Sequence, residues 1–259
     1  MKLSIYQIDA FTDKVFGGNP AAVVPLEKWL EKEVMQAIAA ENNLSETAFF
    51  IPVGDEFEIK WFTPEIEVDL CGHATLASAY VLYEHLKYNK DEILFHSQSC
   101  ILKVRKKNDL FELDFPNRKP LPVPAPPALI EGLGKRPIEV LKSRDYFAVY
   151  ENEDDINSLK PDFNILSTLD ALGIIVTSKG KTVDFVSRFF VPAAGINEDP
   201  VTGSAHSTLI PYWAEKLGKN VLHAYQLSKR KGELFCELIG DRVWIAGKAV
   251  TYMIGELRF

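Results

Sequence analysis

A block of eight residues occurs twice in this chain of 259 residues, and it constrains the fold more strongly than any other feature. Residues 57–64 and residues 185–192 both follow the pattern F-x-x-[KR]-[WF]-F-x-P, at a shift of 128 positions. A second match follows at a shift of 131, where Gly203 and Ala205 repeat Gly72 and Ala74. Self-similarity at a nearly constant shift is typical of a duplicated structural unit. The sequence therefore predicts two similar halves, with three residues inserted in a loop of the second.

Each copy of the block leads into a segment with the pattern of a buried helix. In the first half, the strand-like run 57–62 precedes Gly72, and the residues that follow are apolar nearly all round. In the second half, the corresponding helix is expected to begin at Gly203. The first turn of a helix has free backbone N–H groups, and glycine lets a ligand approach them closely. We expect an anion site for a substrate carboxylate at both openings, in a cleft between the halves.

The boundary between the halves is predicted from a proline-rich segment. Residues 116–127 contain six prolines, so they should run extended and form neither a helix nor a central strand. We predict an N-terminal half at residues 1–118, a linker at 119–127 and a C-terminal half at 128–259. Strand patterns predominate in both halves. This indicates an α+β fold, in which each half wraps a mostly antiparallel β-sheet or barrel around a central buried helix.

Composition and charge exclude several kinds of partner. The net charge of −7 and the lack of basic runs interleaved with aromatic residues argue against binding to nucleic acid. We expect no membrane span, because no apolar stretch is long enough, and the first residues lack a secretory pattern. The three cysteines, at positions 71, 100 and 236, are odd in number and far apart, which fits the reducing cytoplasm.

Glu46 is the candidate acid–base residue. It lies in the segment N-L-S-E-T-A-F-F, where a polar residue enters an apolar strand. Burial would disfavour its charged form and raise its pKa toward neutral pH, where a proton shuttle works best. The alternative is a solvated glutamate in the turn after a helix, and residue patterns alone favour that alternative.

Three other polar residues are candidates for contacts with a substrate. His73, in the first turn of its helix, would be a neutral imidazole, because the helix dipole disfavours the charged form. Asp199 could hold a substrate amine or hydroxyl, and Ser204 could donate a hydrogen bond to a carboxylate. The alternatives are structural: a core histidine, an Asp N-cap followed by Pro200 at the first helical position, and a small serine for helix packing.

Cys71 beside His73 raises two further possibilities, a nucleophile and a metal ligand. Neighbours on a tight turn rarely face each other, and no third orienting group is visible in the sequence. The zinc motifs CxxC, HExxH and H-x-E with P-C-x-x-C are absent, so we expect no metal. The G-x-S-x-G, phosphate-loop and dinucleotide-binding motifs are absent as well.

Several ordered blocks along the chain resemble the PhzF family of phenazine-biosynthesis-like proteins, which has the diaminopimelate-epimerase-like fold. The blocks are D-A-F-T and G-G-N-P in residues 9–20, N-L-S-E-T-A-F in 43–49, F-T-P in 62–64, C-G-H-A-T in 71–75 and D-P-V-T-G-S-A in 199–205. The resemblance implies two pseudo-symmetric domains, a site in the cleft between them, no cofactor and a homodimer. It also implies that Glu46 transfers the proton and that His73, Asp199 and Ser204 are substrate-site residues.

The sequence departs from the amino-acid epimerases that share this fold. In those enzymes each half contributes one cysteine thiol, in the motif C-G-N-G in one half and C-G-T-G in the other. Here Cys71 occupies the first cysteine position and Pro200 is assigned to the second. Because inversion needs an acid on one face and a base on the other, a single Glu46 suits proton transfer on one face. We expect a cofactor-independent isomerase acting on a small carboxylate-bearing substrate. An epimerase or racemase using Glu46 and Cys71 remains an alternative, as does a binding or scaffold protein.

Overall fold

The structure, a computed structural model, describes residues 2–259, which form two compact units. The first unit consists of residues 2–115 and 244–259. Its N-terminal part contains β1 (Lys2–Ala10), β2 (Asn19–Pro25), α1 (Lys32–Asn42), β3 (Glu46–Val53), β4 (Glu56–Phe62), β5 (Glu67–Val68), α2 (Gly72–Tyr80), a π-helical turn (Val81–His85), β6 (Glu92–His96), β7 (Ile101–Lys107) and β8 (Leu110–Pro116).

The second unit is Pro116–Val243, after which the chain returns to the first unit. It contains β9 (Leu121–Pro122), α3 (Pro127–Leu133), β10 (Glu139–Lys142), β11 (Tyr146–Val149), α4 (Glu153–Ser158), α5 (Phe163–Leu166), β12 (Ile174–Lys179), β13 (Phe185–Phe190), a 3-10 turn (Pro192–Ala194), α6 (Gly203–Leu217), β14 (Val221–Gln226) and β15 (Gly232–Ile239). The last two strands are β16 (Arg242–Gly247) and β17 (Ala249–Arg258).

The two units repeat one order of strand pairings. In the first, β1–β2, β3–β4 and β6–β7 are antiparallel pairs, whereas β2–β3 and β4–β6 are parallel. In the second, β10–β11, β12–β13 and β14–β15 are antiparallel, whereas β11–β12 and β13–β14 are parallel. The two copies of the repeated block form β4 and β13, which occupy the same place in this order. The predicted α+β fold with two pseudo-symmetric halves is confirmed.

Each unit contains one buried helix after its copy of the repeated strand. All residues from Gly72 to Ala79 in α2 are buried, and most of the first twelve residues of α6 are buried as well. Small side chains are frequent in both helices, so sheet strands can pack closely against them. No helix formed by residues 2–259 combines the length and the apolar character needed to cross a bilayer.

The domain bounds differ from the prediction at the C-terminus. Residues 244–259 belong to the first unit, not to a C-terminal half that extends to Phe259. The reason is that β17 pairs with β1 along its length, from Lys2 opposite Arg258 to Ala10 opposite Ala249. A strand pattern in the sequence shows that a strand forms, but it does not identify the strand that pairs with it.

The proline-rich segment is also part of a unit, and it is not a separate linker. It does run extended, but it lies within the second unit. There β9 pairs with β10, with Leu121 opposite Lys142 and Pro122 opposite Leu141. Proline is tolerated in such a short peripheral strand, because its missing N–H is not needed for pairing on both sides.

A short helix, α4, follows β11 in the second unit. The side chain of Asn152 caps α4 by accepting a hydrogen bond from the backbone N–H of Asp155 (3.0 Å). Three acidic residues lie in the first turn of α4, where the helix dipole favours negative charge. A cap followed by acidic residues therefore starts a helix here.

Candidate active site

Three of the predicted residues meet where α2 begins. Nε2 of His73 lies 3.1 Å from Oε2 of Glu46, and Nδ1 of His73 lies 3.5 Å from Sγ of Cys71. Cys71 is the N-cap of α2 in extended backbone, while Glu46 is the first residue of β3. His73 and Cys71 are buried, and the side chain of Glu46 is 16% exposed. The chain thus brings together a carboxylate, an imidazole and a thiol.

The contact between Glu46 and His73 has the distance of an ion pair but not the angles of a hydrogen bond. Oε2 of Glu46 and Nε2 of His73 are both buried, and neither has a hydrogen-bond partner among residues 2–259. Buried polar atoms are almost always hydrogen-bonded in folded proteins, and exceptions are often functional. Two such atoms side by side are therefore well placed to bind a ligand.

Asn19 is a site residue that sequence reasoning missed. Its side chain is fully buried, and its Nδ2 lies 3.2 Å from Nδ1 of His73. Asn19 begins β2, two residues before Ala21, which is the parallel partner of Glu46. The G-G-N-P motif was the available signal, but a run of Gly, Asn and Pro is typical of a turn, whereas Asn19 begins a strand. Only the β2–β3 pairing shows that this end of β2 lies beside Glu46.

The charges in this cluster favour a neutral thiol and a charged imidazole. Burial raises the pKa of Cys71, and the negative charge of Glu46 adds to that effect, so the thiol is protonated at neutral pH. Burial by itself would lower the pKa of His73, but negative charge at Cys71 and Glu46 raises it well above the usual value. When Cys71 is protonated, only Glu46 supplies negative charge, and the pKa of His73 is then raised less. The sequence-based expectation of a neutral imidazole considered the helix dipole but not this carboxylate.

The same three residues offer ligand atoms for a metal, but their arrangement suits a proton relay better. One atom from each of Glu46, Cys71 and His73 lies within 4.8 Å of the others. However, Glu46 approaches Nε2 of the ring and Cys71 approaches Nδ1. An ion bound at either nitrogen would have one of these neighbours beside it and the other across the ring.

Asp199, Gly203 and Ser204 meet where α6 begins, in the second unit. The N-cap is Thr202, so the structural alternative of an Asp199 N-cap with Pro200 as the first helical residue is wrong. Asp199 instead accepts a hydrogen bond from the Thr202 hydroxyl. The Thr202 backbone N–H donates to Gln226 (2.8 Å), and the Gln226 amide donates to the carbonyl of Asp199 (2.9 Å). These contacts hold the loop before α6 against β14.

An arginine that carries no sequence motif lies beside this second opening. Nη2 of Arg144 is 3.5 Å from Oγ of Ser204 and 3.3 Å from Oδ2 of Asp145. Asp145 is buried and accepts a hydrogen bond from the backbone N–H of Gly173 (3.1 Å). Burial raises the pKa of Asp145, while the Arg144 guanidinium acts in the opposite direction. The guanidinium of Arg144, whose side chain is 37% exposed, thus lies next to Ser204 and a helix N-terminus.

Strand register shows that the two openings differ chemically. Cys71 and Thr202 are the N-caps of α2 and α6, so Thr202 takes the second cysteine position, and the sequence-based assignment of Pro200 is wrong. Thr47 pairs with Phe62 in β3–β4, and Ile174 pairs with Phe190 in β12–β13. Since Phe190 repeats Phe62, the residue before Ile174, which is Gly173, corresponds to Glu46. The second unit therefore has a hydroxyl and a glycine where the first has a thiol and a carboxylate.

Comparisons with known proteins agree with this architecture. The family model described as phenazine biosynthesis-like protein, PhzC-PhzF, matches residues 8–255. An uncharacterized isomerase of Pseudomonas aeruginosa is 51% identical over 257 residues, which are 99% of both chains. A crystal structure of a PhzF-family phenazine biosynthesis protein from Enterococcus faecalis is 48% identical and covers both chains fully, with a TM-score of 0.98. The structure of a predicted epimerase from Pseudomonas aeruginosa (19% identical, TM-score 0.77, covering 98% and 99%) shares the fold.

Proposed function

The chain belongs to the PhzC-PhzF family of phenazine biosynthesis-like proteins, and we propose that it is an isomerase that moves a proton on a small carboxylate-bearing substrate without a cofactor. Similar proteins that are named isomerases support the reaction class. The observation that carries the proposal is the pair of buried atoms, Oε2 of Glu46 and Nε2 of His73, that have no hydrogen-bond partner among residues 2–259. They supply a proton acceptor and a donor side by side.

Glu46 takes the central role in this reaction. Its carboxylate removes a proton from one carbon of the substrate and returns it to another carbon on the same face. The overall composition of the substrate does not change, so no oxidant or reductant is required. The His73 imidazolium, 3.1 Å from Glu46, donates from Nε2 to a substrate oxygen on which negative charge develops.

An acidic substrate is supported by the two helix openings. No side chain of residues 2–259 caps α2 or α6, so their first backbone N–H groups, at Gly72–His73 and Gly203–Ser204, are available to a carboxylate. In the second unit, Arg144 adds a positive charge next to Ser204, and Asp199 holds the hydroxyl of Thr202. The expected cleft, in which both openings bind the same ligand, stays a prediction.

Proton transfer on one face is favoured over inversion by the differences between the units. Gly173 occupies the position of Glu46, and a Cβ atom there would come within 2.4 Å of the Phe189 ring. The second unit therefore has no room for a matching carboxylate, and Thr202 replaces the matching thiol. Epimerisation remains the second candidate, because Cys71 places an acidic group 3.5 Å from His73 within the first unit.

We predict that Glu46→Gln keeps the fold but loses proton transfer. Glutamine is nearly isosteric with glutamate and hydrogen-bonds in the same place, but it does not take up a proton in the useful pH range. Loss of a positioned general base typically slows a reaction by about two to four orders of magnitude. The measurement is deuterium incorporation from D2O, in a screen of small amino acids and hydroxy acids, with circular dichroism to confirm folding.

Cys71→Ser is the matched variant that separates the two reactions. It should slow exchange only slightly if Glu46 works on one face, since the thiol then serves packing. It should slow exchange as much as Glu46→Gln if the two residues form a two-base epimerase. Full exchange activity in Glu46→Gln would remove Glu46 from the mechanism. If the unsubstituted protein exchanges no hydrogen with any compound, a binding or scaffold role replaces the enzyme.

A further inference from the structure

The imidazole of His73 is held from three elements. Asn19 at the start of β2 and Cys71 at the N-cap of α2 both approach Nδ1, at 3.2 Å and 3.5 Å. Glu46 at the start of β3 approaches Nε2. Of the two groups on Nδ1, Asn19 is the closer, and its fully buried side chain is a neutral amide with a donor end and an acceptor end.

The orientation of the Asn19 amide has a chemical consequence for His73. Nδ2 is the atom that faces the ring, and an amide nitrogen only donates hydrogen bonds. A neutral His73 that accepts this bond at Nδ1 must carry its single proton on Nε2, the nitrogen facing Glu46. When His73 is charged, a turned amide can present its oxygen to Nδ1–H, and Nε2 again carries a proton. An asparagine therefore suits both forms, whereas an aspartate would suit only a protonated Nδ1.

We propose that Asn19 is a positioning residue that keeps a proton on Nε2 of His73 in both charge states, so that this nitrogen always faces the substrate as a donor. This role rests on the proposed function, in which Glu46 removes the substrate proton and His73 donates a hydrogen bond to the substrate. It predicts that His73 loses its charge by releasing the Nδ1 proton. That proton passes to solvent, and Nδ1 then accepts from the amide of Asn19.

The test is a titration of protein labelled with 15N at its histidines, followed by NMR. The two ring nitrogens have different chemical shifts when protonated and unprotonated, so the spectrum identifies the tautomer directly. We expect neutral His73 to carry its proton on Nε2 in the unsubstituted protein, with the signal assigned by its loss in His73→Gln. A neutral form that carries the proton on Nδ1 would overturn the proposal, and this measurement requires no variant of Asn19.

Asn19→Asp supplies a second readout. A carboxylate facing Nδ1 stabilises the proton there, so the charged form of His73 should persist to a pH about one to three units higher. The neutral form should then carry its proton on Nδ1. Asn42→Asp is the matched control, because Asn42 donates to the hydroxyl of Thr47 and makes no contact with His73 that the structure shows. An unchanged His73 titration in folded Asn19→Asp would contradict the proposal.

The two hypotheses fail in different ways. The tautomer is measured in the resting protein without substrate, so it does not depend on finding the reaction. If Glu46→Gln loses hydrogen exchange but His73 carries its neutral proton on Nδ1, the proposed function stands and the role of Asn19 is wrong. If Nε2 carries the proton but no compound exchanges hydrogen, the role of Asn19 in holding the ring stands and the catalytic assignment falls.

Discussion

Two histidines near the helix openings show how their surroundings shift the pKa of a buried imidazole. Burial would lower the pKa of His73, but negative charge at Cys71 and Glu46 raises it well above the usual value. His206, in the first turns of α6, is fully buried, and burial lowers its pKa to about 4. Its Nδ1 donates to the carbonyl of Thr202 (2.9 Å). The pKa values of these two buried imidazoles are therefore shifted in opposite directions.

The neutral state of His206 predicts a loss of stability in acid. The unfolded chain binds this proton near pH 6.5, whereas the folded protein binds it near pH 4. Stability that is present above pH 6.5 is therefore lost as the pH falls toward 4, because protons favour the unfolded chain. The loss from this residue should reach about 2 to 3 kcal/mol near pH 4.5.

Urea unfolding at pH 7 and pH 4.5 measures that loss. His206→Asn is the control, since its amide can still donate to the carbonyl of Thr202 but does not titrate. The difference in unfolding free energy between the two pH values should be smaller in His206→Asn by the amount given above. Equal differences in both proteins would show that His206 does not titrate as its burial implies.

At the scale of elements, the pairing of β12 with β13 explains why only one unit carries a carboxylate at its helix opening. Gly173 lies just before β12. Phe189, on β13, pairs with Ile175, on β12. The Phe189 ring covers the space that a side chain at position 173 would need. In the first unit, the equivalent place beside β4 is open to the side chain of Glu46. The two units thus share the strand order but differ in the side chain at this position, which is Glu46 in the first and Gly173 in the second.

We predict that Gly173→Ala destabilises the second unit. An added Cβ would meet the Phe189 ring at 2.4 Å and the Val191 side chain at 2.8 Å, so neighbouring groups would have to move. Overpacking of this kind typically costs about 1 to 3 kcal/mol. Gly255→Ala on β17 is the control, because its Cβ would make an ordinary contact of 3.4 Å with Ile5. Thermal unfolding should show a lower midpoint for Gly173→Ala only.

At the scale of the whole molecule, β17 is the element that ties the end of the chain to its beginning. It pairs with β1, and three consecutive residues in its middle, Tyr252, Met253 and Ile254, are exposed. Because successive side chains of a strand point to opposite faces, apolar groups are exposed on both faces of β17. The Phe16 ring packs against Tyr252 and extends the exposed apolar surface.

This surface is where we expect the homodimer that the family resemblance implies. Ile254→Lys should convert the dimer to monomers, because a charged group would have to be desolvated at the contact. Ile239→Lys is the control, since Ile239 is similarly exposed (47% against 59%) but lies at the end of β15 in the second unit. Size-exclusion chromatography with light scattering gives the mass. A monomeric unsubstituted protein, or a dimeric Ile254→Lys, would refute this assignment.

The repeat of the eight-residue block was enough to predict the duplicated fold, and local patterns were enough to predict the buried helices at Gly72 and Gly203. Their residues carry this information because helix and strand periodicity depend on near neighbours in the chain. The motifs around Glu46, Cys71 and His73 marked residues that the fold does bring together. Other features depend on pairings between distant segments, which no local pattern encodes. Asn19 reaches His73 only through the β2–β3 pairing, and Arg144 reaches Ser204 only across the second unit. Gly173 matches Glu46 only through strand register, and the last strand joins the first unit because β1 supplies the hydrogen-bonding edge that β17 requires.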